Sequence, residues 1–176
     1  MMRFASAAAL AFAAGLAGAS PAAALPGCDA FLQKMRAEGS ELGLDYSRAL
    51  VVSRVHSTTI NYDINTRSDV DGTLTCQGDQ FKRFEAHVLE PLRGKAAEGF
   101  ERLQQIALRA ALGWDGGKAR SASRGLAGEA KEYLSASRQR GDVYIAGKTE
   151  QHEPGGIGLG MIYTEIDRAF VIVADN

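Results

Sequence analysis

The chain has 176 residues, of which 20 are basic and 21 are acidic, so its formal net charge at pH 7 is −1. This near balance excludes the strong overall attraction to phosphate backbones that most nucleic-acid-binding domains show. The length suits one ordinary domain with a sizeable hydrophobic core.

The first 24 residues have the pattern of a bacterial secretory signal. Arg3 precedes an almost uncharged run rich in Ala, and Ala22-Ala23-Ala24 supplies the small side chains that signal peptidase requires. We therefore expect cleavage after Ala24 and a single domain over residues 25–176 in the periplasm or outside the cell. Because the run is Ala-rich and loosely flanked, we expect no transmembrane span after signal removal.

Cys28 and Cys76 are the two cysteines of the chain. Two widely spaced cysteines in an exported protein typically form a structural disulfide, and no C-x-x-C motif indicates a redox centre. The chain-entropy model assigns such a bridge roughly 4 kcal/mol of stability. Residues 25–28, Leu-Pro-Gly-Cys, offer an alternative because they resemble a lipobox, in which Cys28 would carry lipid. The two fates of Cys28 exclude each other.

The first part of the predicted domain contains one short helix and one long strand. Residues 29–38 suit a helix that ends at Gly39. Residues 49–64 have the β-branched density of a strand, which we expect to bend near residues 57–59.

Residues 69–88 give the clearest hairpin signal. Asp71-Gly72 and Gly78-Asp79 accept the positive φ angles of turns, so we expect two antiparallel strands joined at residues 77–80. The second strand alternates apolar and polar side chains, the pattern of a sheet with one face in water. The apolar set is Phe84, Ala86 and Val88, and the polar set is Arg83, Glu85 and His87.

A helical pattern follows the hairpin. Pro91 suits a first helical turn, and apolar side chains recur on one face from Leu92 to Ala110. Gly113 is a natural end for this helix.

A second helix is predicted over residues 118–140, and the two helices should form an α-hairpin. Gly125 and Gly128 each weaken it by up to about 1 kcal/mol relative to Ala unless they permit close packing. The side chains predicted to face inward are Ala119, Leu126, Ala130, Tyr133 and Leu134.

The last third predicts strands over residues 142–148, 157–164 and 169–174, with a turn at residues 165–168. Residues 170–173 are all apolar, which is typical of a central strand. The order α-βββ-αα-βββ indicates an α+β fold. One antiparallel sheet of about six strands would be packed by a helical hairpin and a short N-terminal helix.

Motifs for catalysis, metals and phosphate are sparse. His56, His87 and His152 have no second ligand at metal-binding spacing, and no G-x-S-x-G nucleophile motif occurs. The Asp- and Asn-containing segments of residues 63–72 are better explained as turns than as calcium loops. The Gly-rich residues 155–160 lead into a strand rather than a helix N-terminus, which argues against a phosphate site. We predict no metal, no cofactor and no catalytic residue, although a carboxylate pair from distant segments stays possible.

A basic stripe on the second long helix is the best candidate for a contact surface. Its four cations fall within about 40° of one another at 3.6 residues per turn. They are Arg120, Arg124, Lys131 and Arg138. Such a stripe suits an anionic ligand, an acidic partner or lipid head groups. The alternative is a solvated face whose long side chains cover apolar flanks.

The sequence therefore predicts an exported envelope protein that acts as a non-catalytic binding or interaction module, with no nucleic-acid partner. The partner would be a protein or an anionic ligand of the envelope. Two alternatives stay open: a small periplasmic hydrolase with His56 or His87 as the base in a cleft, and a lipoprotein lipidated at Cys28. A cleft that joins a histidine to a carboxylate would favour the hydrolase.

Overall fold

The computed structural model describes residues 25–40, 45–54, 57–90, 94–142 and 146–174. The predicted signal segment and His56 lie outside these ranges. Within them the elements are α1 (Cys28–Glu38), β1 (Asp45–Arg54), β2 (Ser57–Asn65), β3 (Asp71–Gln77), β4 (Gln80–Leu89), α2 (Lys95–Leu112), α3 (Gly116–Arg140), β5 (Ala146–Glu153), β6 (Ile157–Thr164) and β7 (Asp167–Ala174).

The strands form one antiparallel sheet with the order β1-β2-β3-β4-β7-β6-β5. After β4 the chain leaves the sheet for the two long helices and returns through β5 and β6 to place β7 beside β4. Phe84 of β4 lies opposite Ile172 of β7 in this central pairing. The predicted α+β class and the order of helices and strands are confirmed.

Residues 49–64 fold as part of a hairpin and not as one strand. β1 pairs with β2, and Arg54 lies opposite Ser57 at the closed end. One strand of that length would extend about 50 Å at 3.3 Å per residue. The neighbouring strand β3 has only 7 residues, so a single strand of 16 residues could not stay paired with it along its length. The sheet therefore has seven strands among the described residues.

The core lies between one face of the sheet and the helices. Phe84, Ala86 and Val88 are buried on this inner face, while Arg83 of the alternate set is exposed, as the period-two pattern predicts. α2 packs on β4, and α3 packs on β5 and β6. Phe31 of α1 fills the other end of the core, with its ring centroid 5.5 Å from that of Phe84.

The predicted disulfide between Cys28 and Cys76 is confirmed. It joins the first residue of α1 to β3, and both cysteines are buried. Asp79 in the β3–β4 turn adds two hydrogen bonds, because its carbonyl accepts from the Cys28 amide at 2.8 Å and its Oδ1 accepts from the Asp29 amide at 3.2 Å. A sulfur held in this bond cannot carry a lipid, so the structure favours the disulfide over the lipobox alternative.

The two long helices form the predicted α-hairpin. α2 begins at Lys95, and Pro91 and Leu92 lie outside the described residues. Gly113 ends α2 with a φ of 66°, and Asp115 caps α3 by accepting hydrogen bonds from two backbone amides at 2.8 and 2.9 Å. These hydrogen bonds hold the pKa of Asp115 below its ordinary value, so the cap is charged at neutral pH.

The inward face of α3 is mostly as predicted. Ala119, Leu126 and Ala130 are fully buried and Leu134 is partly buried, but Tyr133 is 57% exposed. The prediction for Tyr133 was wrong because this position lies about 40° from Ala119 on the helix, at the margin of the buried stripe.

The start of β5 differs from its predicted position. Asp142 was expected to begin a strand, but it accepts a hydrogen bond from Ser137 Oγ at 2.8 Å and so belongs to the end of α3. β5 runs over Ala146–Glu153, and residues 143–145 lie outside the described ranges. β6 matches its predicted bounds, and of the predicted central residues Phe170, Val171 and Ile172 are buried while Val173 is partly buried.

Candidate functional site

A groove between α2 and α3 contains two cavities. The first, here called the helical cavity, has a volume of about 500 Å³ and is lined by α1, α2 and the start of α3. The second, the sheet-side cavity, has a volume of about 290 Å³ and reaches Tyr163 of β6 and Arg168 of β7. Glu101 and Arg124 line both cavities, and their ion pair, 3.4 Å between Oε1 and Nε, crosses the groove between them.

The helical cavity carries both signs of charge. Its cations are Arg102, Arg109, Arg120 and Arg124, and its carboxylates are Glu38, Glu98 and Glu101. Arg109 Nε lies 3.1 Å from Glu38 Oε2, which links α2 to α1. The carboxylates of the lining therefore neutralise part of the positive charge of its arginines.

The sheet-side cavity has a buried polar wall. Gln104 of α2 and Ser123 of α3 are only 3% and 2% exposed, and Ser123 Oγ donates a hydrogen bond to Gln104 Oε1 at 2.5 Å. Among the described residues, the Nε2 group of Gln104 has no acceptor. This amide group lines the cavity and is not among the fully buried, unpartnered atoms of the described residues, so it is a donor that solvent or a ligand can reach.

The cations of the sheet-side cavity are Arg124, Lys131 and Arg168, and its one lining carboxylate is Glu101. Lys131 makes no ion pair within the described ranges. The lining thus has a net positive charge, and Lys131 is its least neutralised cation.

Tyr163 and Arg168 form the base of the sheet-side cavity. Arg168 Cζ lies 4.5 Å from the centroid of the Tyr163 ring, and the Arg168 guanidinium also pairs with Glu90. Burial raises the pKa of Tyr163 above its ordinary value of 10, so its hydroxyl is protonated at neutral pH. The base is therefore a fixed guanidinium stacked on a neutral phenol.

Three of the four cations of the predicted stripe lie along this groove. Arg120 lines the helical cavity, Lys131 lines the sheet-side cavity, and Arg124 lines both. Arg138 lines neither cavity and pairs with Glu165 at 3.5 Å, so it lies apart from the others.

Four functional candidates of the sheet-side cavity were missed by sequence reasoning: Gln104, Ser123, Tyr163 and Arg168. Gln104 and Ser123 occupy inward positions of their helices, and a polar side chain in an apolar stripe is a signal of a buried polar pair or of a site. Arg168 lies opposite Tyr163 across the local β6–β7 turn, but no sequence pattern shows that α2 and α3 pack over this pair.

The described histidines lie away from the groove. His87 Nε2 is 3.2 Å from Asp167 Oδ2 on β7, and His152 Nε2 is 3.8 Å from Glu150. A hydrogen bond from Thr164 Oγ1, with a second contribution from His87, holds the pKa of Asp167 below its ordinary value of 3.8. Neither histidine lines the helical cavity or the sheet-side cavity.

The Gly-rich segment contributes to a shallow cavity on the outer face of the sheet. Gly158 lies opposite Val173 and Gly160 opposite Val171, and these four residues line a cavity of about 230 Å³. A Cβ on Gly160 would have its nearest neighbour at 3.7 Å, so this glycine is not needed for close packing. The segment leads into β6 as predicted.

No group of three His, Cys, Asp or Glu side chains within the described ranges could hold a metal ion. In the same ranges, every helix is too short or too polar to cross a membrane. Comparisons with protein-family models, with curated proteins and with solved structures gave no match.

Proposed function

We propose that the protein is an exported, non-catalytic binding module of the bacterial cell envelope that binds an anionic ligand or an acidic partner in the groove between α2 and α3. One observation carries this proposal: Arg120, Arg124 and Lys131 of the basic stripe line a concave surface. A cleft concentrates the field of its lining charges, and a flat solvated helix face does not.

The charge of the groove supports an anionic occupant. Six cations line the two cavities, namely Arg102, Arg109, Arg120, Arg124, Lys131 and Arg168. Three carboxylates line them as well, namely Glu38, Glu98 and Glu101. The whole chain has a formal charge of −1, so this positive excess is local. A local excess attracts an anion to one place on the molecule.

Export is supported by the N-terminal sequence pattern and by the disulfide. A disulfide persists in the periplasm or outside the cell, whereas the cytosol keeps thiols reduced. Binding without catalysis is supported by the position of His87, whose pairing with Asp167 lies outside the cavities.

A charge-reversal experiment tests the proposed function. The probe is a fluorescein-labelled, Glu-rich peptide, and its binding is followed by fluorescence anisotropy at low and high salt. Arg124→Glu/Lys131→Glu should weaken binding about tenfold or more, because charges that line a binding surface control both attraction and salt dependence. The melting temperature should hardly change, because exposed ion pairs such as Arg124–Glu101 contribute only about 0–1 kcal/mol.

The matched control is Lys34→Glu/Arg67→Glu, which makes the same change in net charge at two exposed positions outside the groove. This control should retain most of the peptide binding. Equal losses in the two variants would show that the peptide senses net charge alone and would contradict a binding surface in the groove.

A further inference from the structure

The sheet-side cavity has the size of a small-molecule site. Its volume of about 290 Å³ is near the lower end of the range for ligand pockets, about 300 Å³. It is closed at its base by Tyr163 and Arg168 and open between α2 and α3. This space admits a small molecule or the end of a peptide.

The polar lining of the cavity has more donors than acceptors. Lys131 and Arg124 are cationic, and the Nε2 group of Gln104 is a donor that no described residue uses. The acceptors of the cavity lining are largely occupied, because Gln104 Oε1 accepts a hydrogen bond from Ser123 and Glu101 pairs with Arg124. Cationic donors bind most strongly to anionic acceptors, so the fitting ligand carries acceptor atoms and a negative charge.

The apolar lining indicates that the ligand also has a hydrocarbon part. Phe100, Ala97 and Ala127 face the same space as the donors. An inorganic anion would leave these carbon atoms in contact with water, whereas a carboxylate with a short apolar body would cover them.

We infer that the sheet-side cavity is a binding site for a small organic carboxylate, whose two oxygens accept from Lys131 and from Gln104 Nε2 while its apolar body packs on Phe100. This inference rests on the proposed binding function and names the chemistry of the ligand at one end of the groove. The carboxylate belongs either to a free small molecule or to the C-terminus of a peptide.

Gly128 provides a substitution that fills the mouth of the cavity without changing any charge. It lines the cavity, and a Cβ built on it meets no atom within 4 Å, so Gly128→Leu fits the helix. Leu also favours a helix over Gly, so this variant should melt at a higher temperature than the wild type. The matched control is Gly125→Leu, on the same helix, with equally open space and outside both cavities.

Isothermal titration and thermal shift test the inference with three probes: hexanoate, hexan-1-ol and inorganic phosphate. Hexanoate should bind saturably and raise the melting temperature of the wild type and of Gly125→Leu. Gly128→Leu and Lys131→Met should each lose about tenfold or more in hexanoate affinity. Binding of hexan-1-ol or of phosphate as tight as that of hexanoate would overturn the inference, and so would undiminished hexanoate binding by Gly128→Leu.

Two peptides distinguish the source of the carboxylate. Acetyl-Ala-Ala-Phe with a free C-terminus is compared with the same peptide as its C-terminal amide. Tighter binding of the free acid than of hexanoate supports a peptide C-terminus as the source, and tighter binding of hexanoate supports a free small molecule. Equal binding of the acid and the amide, together with no binding of hexanoate, would overturn the carboxylate site.

The two proposals fail in different experiments. If the wild type binds the Glu-rich peptide but not hexanoate, the groove binds acidic partners and the carboxylate inference alone is wrong. If the wild type binds neither probe, the proposed function is wrong as well.

Discussion

At the scale of single residues, Gly147 is the position where β5 and α3 come closest. A Cβ at Gly147 would lie 1.9 Å from the carbonyl oxygen of Ala130 and 2.6 Å from the amide nitrogen of Leu134. Both neighbours are helix backbone, which cannot move aside as a flexible side chain can. Only glycine therefore permits this contact.

We predict that Gly147→Ala lowers the free energy of unfolding by about 3 kcal/mol, because the helix must move away from the strand. Urea denaturation followed by circular dichroism measures this loss. The control is Gly160→Ala on the neighbouring strand, where the nearest atom to the new Cβ lies at 3.7 Å, and it should cost less than about 1 kcal/mol. Similar urea midpoints for the two variants would contradict the close approach.

Asp167 is the residue through which acid should act on the sheet. The Thr164 hydrogen bond, with His87, holds the pKa of Asp167 in the folded protein below the ordinary value of 3.8. Because the folded pKa is lower than the unfolded one, the ionised carboxylate stabilises the fold. This contribution is complete above about pH 5 and is lost progressively as the pH falls through 3.8 towards the folded pKa.

We predict that Asp167→Asn flattens the plot of unfolding free energy against pH between about pH 4 and pH 2. Urea titrations at a series of pH values measure the slope. Thr164→Val should flatten the plot partly, because it removes the donor with the largest effect on the pKa of Asp167. A variant curve parallel to that of the wild type over this range would contradict the role of Asp167.

At the scale of elements, α1 is held to the sheet by a bond at its first residue. The disulfide joins Cys28 to Cys76 across 48 positions of the chain, and Phe31 of α1 packs on Phe81 and Phe84 of β4. In the chain-entropy model a loop of this length contributes about 4 kcal/mol by restricting the unfolded chain.

We predict that Cys28→Ser/Cys76→Ser lowers the free energy of unfolding by up to about 4 kcal/mol. Reductant should lower the stability of the wild type to a similar value and leave the variant unchanged, which urea denaturation with and without reductant measures. If reduction leaves the wild-type midpoint where it was, the disulfide does not stabilise this fold.

The sequence predicted the elements that have a strong internal period. In β4 the alternation of apolar and polar side chains, and in α2 the apolar stripe, show from residue spacing alone which side chains are buried. The bounds of these two elements were therefore predicted to within a few residues. The segment over residues 49–64 was misread as one strand because β-branched density continues through the hairpin. The start of β5 was missed because Asp142 serves the end of α3, a role that depends on Ser137 and not on strand pattern.

The candidate site was predictable only in part, for the same physical reason. The stripe of Arg120, Arg124 and Lys131 follows from helical spacing within one element. The concavity around it depends on how α2 packs against α3 and on how both helices lie over Tyr163 and Arg168 of the sheet. Such long-range contacts leave no local period in the sequence.

At the scale of the whole molecule, the pairing of β4 with β7 joins two parts of the chain. Strands β1 to β4 precede the helical hairpin and strands β5 to β7 follow it, and β4 and β7 meet in the interior of the sheet. The inner faces of both strands are fully buried at Phe84, Phe170 and Ile172. Within the described residues β1 and β5 pair on one side only and form the edges of the sheet.

We predict that the rate of amide hydrogen exchange in each strand depends on whether the strand lies in the interior or at an edge of the sheet. Amides of β4 and β7 should exchange slowest and only through global unfolding, because opening their pairing exposes the shared core. Amides of the edge strand β5 should exchange faster, through local opening that detaches it from β6. Exchange followed by mass spectrometry at increasing urea separates the two routes, since global unfolding depends steeply on urea and local opening does not.

The same measurement decides whether the two parts of the sheet fold as one unit. If they do, peptides from β4 and β7 share one exchange rate and one urea dependence, because neither strand can lose its partner without exposing Phe84 or Phe170. If β7 exchanges before β4, the later strands separate from the earlier ones while the disulfide-linked part stays folded. In that case the sheet-side cavity, which needs both α2 and β7, would exist only part of the time, and ligand binding would slow the exchange of β7 most.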